Sequence, residues 1–424
     1  MNKNEVTSEP RDPHDVTVIG GGIVGVCCAL HLQRVGHAVT ILEPQGPGEG
    51  CTSGNGGQLV AGYCVPVGLP GIVRQVPHML LDPLGPLTIR WRYLPRLLPW
   101  LLRFIAASSK RRVESIADAL HALSCKPLDA LGPLITSAGA EALIVRQGRL
   151  DVYATDAGFE RARRKYDLLQ ARGVRVEPVS SDEVGDLEPS LAGRVRCGVL
   201  LPETAHVTDP LRMTQLLARD FVKRGGVIAR EKVSDFEIGT TGPVAVLTDT
   251  GRRDVQRVVV AAGAHSRPLA ARLGSRLPLD TERGYHVMLP HPGVEVRRTV
   301  VSGDHYFGLT PMAGGLRLAG TVELAGLDAP PNDARADSLV RAARRLLPQL
   351  SDRGATRWMG FRPSMPDSLP VIDRSPAHEN VLFAFGHGHL GLTMAAMTGQ
   401  LVAQLMDGRA TSIDVSPYRA RRFA

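Results

Sequence analysis

The sequence predicts an α/β fold, and three observations carry that reading. A β-branched strand over residues 16–19 enters a glycine turn, and a helix and a second strand follow before an acid at Glu43. A second glycine-rich helix start, Gly386-His387-Gly388-His389-Leu390-Gly391, comes after another apolar strand far along the chain. Between the two, short β-branched runs alternate with helical stretches, in a chain with 45 glycines and 4% aromatic residues. At 424 residues the chain has room for two or three domains and a large core.

The opening unit reads Val16-Thr17-Val18-Ile19-Gly20-Gly21-Gly22-Ile23-Val24-Gly25. Gly20 suits the tight turn, Gly22 lets backbone approach a pyrophosphate, and Gly25 lets helix meet strand closely. An anion would sit at the helix start formed by Ile23 and Val24, where unpaired N–H groups and the helix dipole favour negative charge. Gly36 is placed to end the helix, and Glu43 closes the next strand at the distance suited to ribose hydroxyls. Strand, turn, helix, strand and acid in register predict a dinucleotide site. A merely structural turn would not require the acid.

The elements then follow in order. The loop Cys51-Thr52-Ser53-Gly54-Asn55-Gly56-Gly57-Gln58-Leu59 carries small hydroxyl and glycine residues that bring main chain close to a ligand. Residues 63–112 are proline-rich, then apolar with arginines and Trp100, ending in Lys110-Arg111-Arg112. They suit a helix packed on the core, or an interfacial amphipathic element. Residues 113–137 read as one long helical region, 148–153 as a strand, 157–172 as a charged helix and 211–224 as another. Residues 245–248 and 257–260 flank a turn and read as a hairpin, and residues 258–262 run into Gly263-Ala264-His265-Ser266. Residues 285–289, 300–302, 306–310 and 316–321 suit strands of a second sheet, with a helix over 337–347 and a last one from Gly391 to about Met406.

The net charge of +8 is spread singly and in pairs among acids, without a long basic run or zinc-finger spacing, so nucleic-acid binding is not expected. No metal-ligand spacing appears. Six cysteines without a CxxC pair, among them Cys27 and Cys28 in the first helix, suit a reducing compartment. The first 14 residues are polar, and no 18-residue apolar span occurs. The expectation is a cytoplasmic protein, with peripheral contact to the inner face of the cytoplasmic membrane left open.

The glycine fingerprint with Glu43, the loop from Thr52 to Leu59, residues 206–210, residues 258–266, Gly360-Phe361-Arg362-Pro363 with Pro366-Asp367, and the turn at 386–391 occur in an order that resembles the D-amino acid oxidase family. The likeness is strongest to bacterial D-amino acid dehydrogenases and their D-hydroxyproline dehydrogenase relatives. It implies a discontinuous Rossmann-like FAD-binding domain (residues 14–62, 203–274 and 354–424) and a mixed-sheet α+β substrate domain (63–202 and 275–353), after a disordered N-terminus at 1–13. It implies oxidation of the Cα–N bond of a D-amino or cyclic D-imino acid, with hydride passing from Cα to flavin N5. By motif, Gly20, Gly22 and Gly25 would hold the pyrophosphate and Glu43 the ribose. Thr52, Ser53, Asn55, Gly56 and Gly57 would pass beside the flavin, Val233 would meet adenine, and Gly263 would lie in the strand-to-turn segment. Gly388, His389, Leu390, Gly391, Leu392 and Thr393 would face the pyrimidine edge.

Arg362 matches the family's substrate arginine, whose fork pairs with a carboxylate, and Tyr306 resembles its active-site tyrosine. His387 is a third candidate, though histidines such as His286, His305 and His387 are more often packed than catalytic. No cysteine is close to Arg362 in the sequence, and no histidine lies in residues 51–59, so FAD is expected to be non-covalent. The long 63–112 segment resembles the dehydrogenase branch, which implies a quinone or protein electron acceptor. A glycine- or sarcosine-type amine oxidase using oxygen, and a flavin-binding subunit of a larger complex or oligomer, are the alternatives.

Overall fold

The computed structural model describes residues 15–71, 85 and 87–424. The N-terminus expected to be disordered lies outside these residues, as does part of the proline-rich stretch after residue 63. Among the described residues two large sheets organise the chain.

The first sheet orders its six strands as Val227–Ala229, Ala38–Leu42, Asp15–Ile19, Arg257–Val260, Val381–Phe385 and Val371–Arg374. Neighbours run parallel except the last pair. Its central strands read as continuous apolar runs because both faces are covered. On one face lie helices Ile23–Arg34, Pro210–Lys223 and Gly391–Met406. On the other lie a three-stranded antiparallel sheet, beginning at Val233–Ile238, and helix Ser266–Arg272. Helices Ile23–Arg34 and Gly391–Met406 touch along their lengths. Gly399 allows this, since a Cβ there would stand 2.6 Å from the Cys27 carbonyl oxygen. Cys27 and Cys28 are fully buried core residues, as their helical position suggested. Helix Pro210–Lys223 starts where Asp209 caps it, accepting from the Arg212 amide at 2.9 Å, with Pro210 in the first turn.

The second sheet is mixed and nine-stranded. Strands Thr356–Ser364, Asp280–Leu289, Gly315–Leu324, Phe307–Met312, Thr299–Ser302, Arg149–Tyr153, Cys197–Leu201 and Glu177–Ser180 follow one another, and Leu87–Ile89 adds to Gly315–Leu324. Helix Asp333–Leu346 seals one face with Ala336, Leu339, Val340 and Ala343. Because the first sheet draws strands from three separated parts of the chain, the nucleotide-binding half is discontinuous, as the resemblance implied.

Three expectations change. Residues 245–248 do not pair with 257–260: Pro243–Thr248 pairs with Gly251–Asp254, and Arg257–Val260 enters the centre of the first sheet. Gly251–Asp254 is a solvent-facing polar strand without apolar alternation, so it reads as a turn. The helix over 113–137 is two, Lys110–Ser124 and Pro127–Ala138, because Lys126, the residue before a proline, leaves the helical region (φ −134°, ψ 61°) and Pro127 opens the next helix. Thr356–Ser364, assigned to the nucleotide-binding part, pairs along its whole length with Asp280–Leu289 and belongs to the second sheet.

Candidate active site

The first glycines do two different jobs. Gly20 has φ +111°, and a Cβ on it would stand 2.5 Å from the Ala261 carbonyl oxygen. A Cβ on Gly25 would stand 1.9 Å from the Gly20 oxygen, so the fold itself requires both glycines. At Gly22 the nearest atom is Thr52 Oγ1 at 3.5 Å, an ordinary contact. Gly263 has φ +55°, and a Cβ on it would meet nothing within 4 Å beyond its own chain neighbours. These two positions leave open space at the carboxyl edge of the first sheet, where the start of helix Ile23–Arg34 favours an anion. Glu43 faces the same edge, with Oε2 accepting from the Gly21 amide at 2.7 Å and Oε1 from the Gln45 amide at 3.0 Å. Val233 packs with Ile19 and Leu42 at the ends of the neighbouring strands. Backbone space, helix terminus and acid together fit a dinucleotide.

The loop after Glu43 is tied to this helix start and to the second sheet. Thr52 Oγ1 accepts from the Ile23 amide at 3.2 Å, and the Gly57 amide donates to Asn55 Oδ1 at 2.8 Å. Gly57 adopts φ +75°, and a Cβ there would meet the Val207 oxygen at 2.5 Å. Arg317 donates from Nη1 to the carbonyls of Asn55 (2.5 Å) and Ser53 (3.2 Å). Burial lowers its pKa to about 10, which leaves it charged. His286 meets the Gly54 carbonyl at 3.1 Å and stacks on Trp358 at 4.9 Å, whose ring fills the space a side chain at Gly54 would need. Gly56 lies in the same loop, with Ala319 its nearest neighbour. Arg317 and Trp358 escaped sequence reading because each acts across sheets on a residue more than 250 positions away.

At the second glycine-rich turn, Gly388 has φ +55° and its amide donates to the Pro363 oxygen at 2.8 Å. Thr393 Oγ1 accepts from the Val60 amide (3.3 Å) and donates to the Gln58 oxygen (3.2 Å), which fixes the start of helix Gly391–Met406 against Leu59. Leu390 and Leu392 are buried on either side of Gly391. His387 is buried, with Nε2 at 2.9 Å from Thr398 Oγ1, and burial drives its pKa down to about 3. It is a neutral, hydrogen-bonded member of the turn.

The opposite wall comes from the second sheet. Cross-strand pairs Glu282–Arg362 and His286–Trp358 present their side chains to one face, with the pair Gly284–Gly360 between them. Arg362 lies over Gly284 and Trp358 over Gly360, and a Cβ on either glycine would collide with the ring or guanidinium above it. Arg362 Nη1 donates to the Thr321 carbonyl at 3.1 Å, and the guanidinium makes no ion pair among the described residues. Glu282, Ser364, Met365, His387, Gly388 and His389 line a cleft here. Burial raises the carboxyl pKa of Glu282, with Arg362 opposing. His389 meets Tyr63 edge-on at 5.6 Å, and burial, then Arg362 and Arg149, bring its pKa to about 4.

Cys51, distant from Arg362 in sequence, is near it in space beside the Phe361 amide. It is exposed at the surface, yet surrounding protein raises the thiol pKa. Ser53 turns back on the Gly50 carbonyl at 2.9 Å. Tyr306 is not a strand residue. It sits in the turn before Phe307–Met312 with φ 55°, 48% exposed.

The family model for FAD-dependent oxidoreductases designated DAO matches residues 15–405. A D-amino-acid oxidase of Bradyrhizobium diazoefficiens is 39% identical over 98% of this chain and 100% of its own length. A D-amino acid dehydrogenase of Paramagnetospirillum magneticum is 33% identical over 96% of this chain and 98% of its own. Among solved structures, glycine oxidase from Geobacillus kaustophilus superposes with a TM-score of 0.72 at 23% identity, covering 96% of this chain and 98% of that one. L-proline dehydrogenase from P. horikoshii gives 0.72 at 20% identity, covering 97% and 98%, and these two likenesses speak for the fold. The nucleotide cradle, the second glycine turn and the arginine-bearing sheet wall are thus those of a chain that belongs to the DAO family of FAD-dependent oxidoreductases.

Proposed function

We propose that this protein is an FAD-dependent dehydrogenase of D-amino acids or cyclic D-imino acids such as D-hydroxyproline. The observation that carries the reading is Arg362: a guanidinium on a sheet wall, opposite a flavin-type helix start, held by one carbonyl and making no ion pair among the described residues. Its fork suits the α-carboxylate of an amino acid, and fixing that group orients Cα–H. When bound, FAD supplies the acceptor for the two electrons that leave Cα. Gly20, Gly22, Ile23, Val24 and Gly25 hold its pyrophosphate, Glu43 its ribose and Val233 its adenine, with Gly263 against the nucleotide. Thr52, Ser53, Asn55, Gly56, Gly57 and Leu59 flank the flavin without a covalent bond. Gly388, His389, Leu390, Gly391, Leu392 and Thr393 would hold its pyrimidine edge, where the N–H groups of the helix start favour negative charge. Tyr306, at the rim, supports the carboxylate, and His387 holds the turn.

The electron acceptor would be a quinone or a partner protein. No helix among the described residues is long and apolar enough to cross a membrane. Helix Leu94–Ala107 buries Leu97 and Trp100 while exposing Leu98, Leu102 and Ile105, with Lys110-Arg111-Arg112 beyond. This surface supports a cytoplasmic enzyme docked on the inner face of the membrane. Flotation with anionic vesicles should be lost in Leu98→Ser/Leu102→Ser while amino acid oxidation persists.

The experiment is anaerobic bleaching of the purified protein with paired D- and L-amino acids, including both hydroxyproline epimers. Bleaching by D-substrates alone supports the reading, and bleaching by none overturns it. Rapid peroxide release in air would assign oxygen as acceptor, the alternative that the oxidase relative raises.

A further inference from the structure

Arg149, on strand Arg149–Tyr153, is 8% exposed, and its Nε donates to Asp151 Oδ1 at 2.7 Å. Asp151 is fully buried and already saturated. Its other oxygen accepts from Lys165 Nζ and from the Tyr166 hydroxyl at 2.9 Å, and the Tyr153 hydroxyl donates in turn to that of Tyr166 at 2.7 Å. Two cations therefore share one carboxylate. A surplus positive charge is held in a region that solvates it poorly, an arrangement that calls for an anion.

The surplus is directed. Arg149 Nη1 donates to Gln58 Oε1 at 3.2 Å, and the Gln58 backbone oxygen accepts from Thr393 at the start of the cofactor helix. Nη2 of Arg149 and the Tyr63 hydroxyl have no hydrogen-bond partner among the described residues. The Tyr63 ring meets His389 edge-on at 5.6 Å, and His389 lines the same cleft as Glu282, opposite Arg362. Arg149 and Arg362 both lie within electrostatic reach of the His389 ring.

The geometry points to Arg149 as the second anion-binding arginine of the substrate site, taking the side-chain carboxylate of an acidic D-amino acid while Arg362 takes the α-carboxylate. This assignment of substrate class rests on the proposed function. One arginine per carboxylate gives each group its own fork, and the Asp151–Lys165 pair holds the second fork in place without consuming its open edge.

The test compares isosteric substrates that differ only in charge, D-glutamate with D-glutamine and D-aspartate with D-asparagine, by anaerobic flavin reduction in the holoenzyme. Wild type should favour at least one acid over its amide by about tenfold or more in kcat/KM. Arg149→Gln should remove that preference, bringing the acid-to-amide ratio down to about one, and its melting temperature should fall because buried Asp151 loses a charged partner. A parallel titration without turnover follows the flavin spectrum with glutarate and with butyrate: glutarate should bind at least about tenfold more tightly to wild type and no better than butyrate to the variant. If Arg149→Gln does not fold, the wild-type acid-to-amide ratios and the glutarate titration decide alone. Oxidation of amides without acid preference overturns this inference and leaves the proposed function standing. Equal losses on acid and amide would place Arg149 against the α-carboxylate or the cofactor and also overturn it. No oxidation of any D-amino acid removes both.

Discussion

The guanidinium of Arg362 is aimed by the carbonyl of Thr321, which accepts from Nη1 at 3.1 Å while Thr321 itself adopts φ 58°. A β-branched residue in the left-handed region is strained by about 1–3 kcal/mol and persists only where neighbours enforce it. Here the fully buried Arg335 grips Thr321 Oγ1 and the next carbonyl, that of Val322 at 3.2 Å. One buried arginine thus positions the backbone that positions another.

Replacing Arg362 by Lys should keep the flavin and cut kcat/KM on amino acids at least about tenfold. A charge-assisted pair contributes about 1.5–3 kcal/mol, and a point charge cannot reproduce the fork. Amino acid amides, lacking the carboxylate, should be poor substrates of wild type and lose little more. Equal losses on acids and amides, together with a lower melting temperature, would make Arg362 a structural residue only.

Gly22→Ala and Gly25→Ala should separate cofactor from fold. At Gly22 the protein has room for a methyl group, so the apoprotein should melt like wild-type apoprotein yet purify colourless. At Gly25 the added carbon overlaps the Gly20 oxygen, an overpacking that costs about 1–3 kcal/mol or more. Full flavin occupancy in Gly22→Ala would show that the first turn does not face the pyrophosphate.

Acid precipitation should release all the FAD. Cys51 is the thiol to watch because it lies beside Arg362, but its pKa is raised, and a thiol that stays protonated is a poor nucleophile toward the flavin. A yellow pellet from wild type and a white one from Cys51→Ser would instead reveal a thioether.

Burial depresses the folded-state pKa of His387 from 6.5 to about 3. Between those values the unfolded chain binds a proton that the native chain does not, so stability is lost as pH falls below 6.5, by at most about 1.4 kcal/mol per pH unit for this group. Chemical denaturation at pH 4.5 and pH 7.5 should show a smaller difference in His387→Gln than in wild type. Turnover of that variant at pH 8 should stay within a few-fold. A collapse of turnover with unchanged stability would make His387 catalytic after all.

Local chemistry was readable and long-range pairing was not. Gly20, Gly22, Gly25 and Glu43 carry their turn, helix start and acid within one short stretch, so their register follows from spacing alone. The final helix is announced by Gly388 and Gly391 in the same way. Nothing in Thr356–Ser364 says that it pairs with Asp280–Leu289, and a polar strand such as Gly251–Asp254 lacks the alternation that reveals a buried face. Arg149, Arg317 and Trp358 gain their significance only from partners brought by the fold.

Arg317 also couples two events that would otherwise be separate. It reaches from the second sheet to the carbonyls of Ser53 and Asn55, within the loop that is fastened through Thr52 to the first helix. Separating the two halves would break the hydrogen bonds that hold this loop. Heating should therefore release flavin and melt the arginine-bearing sheet in a single transition.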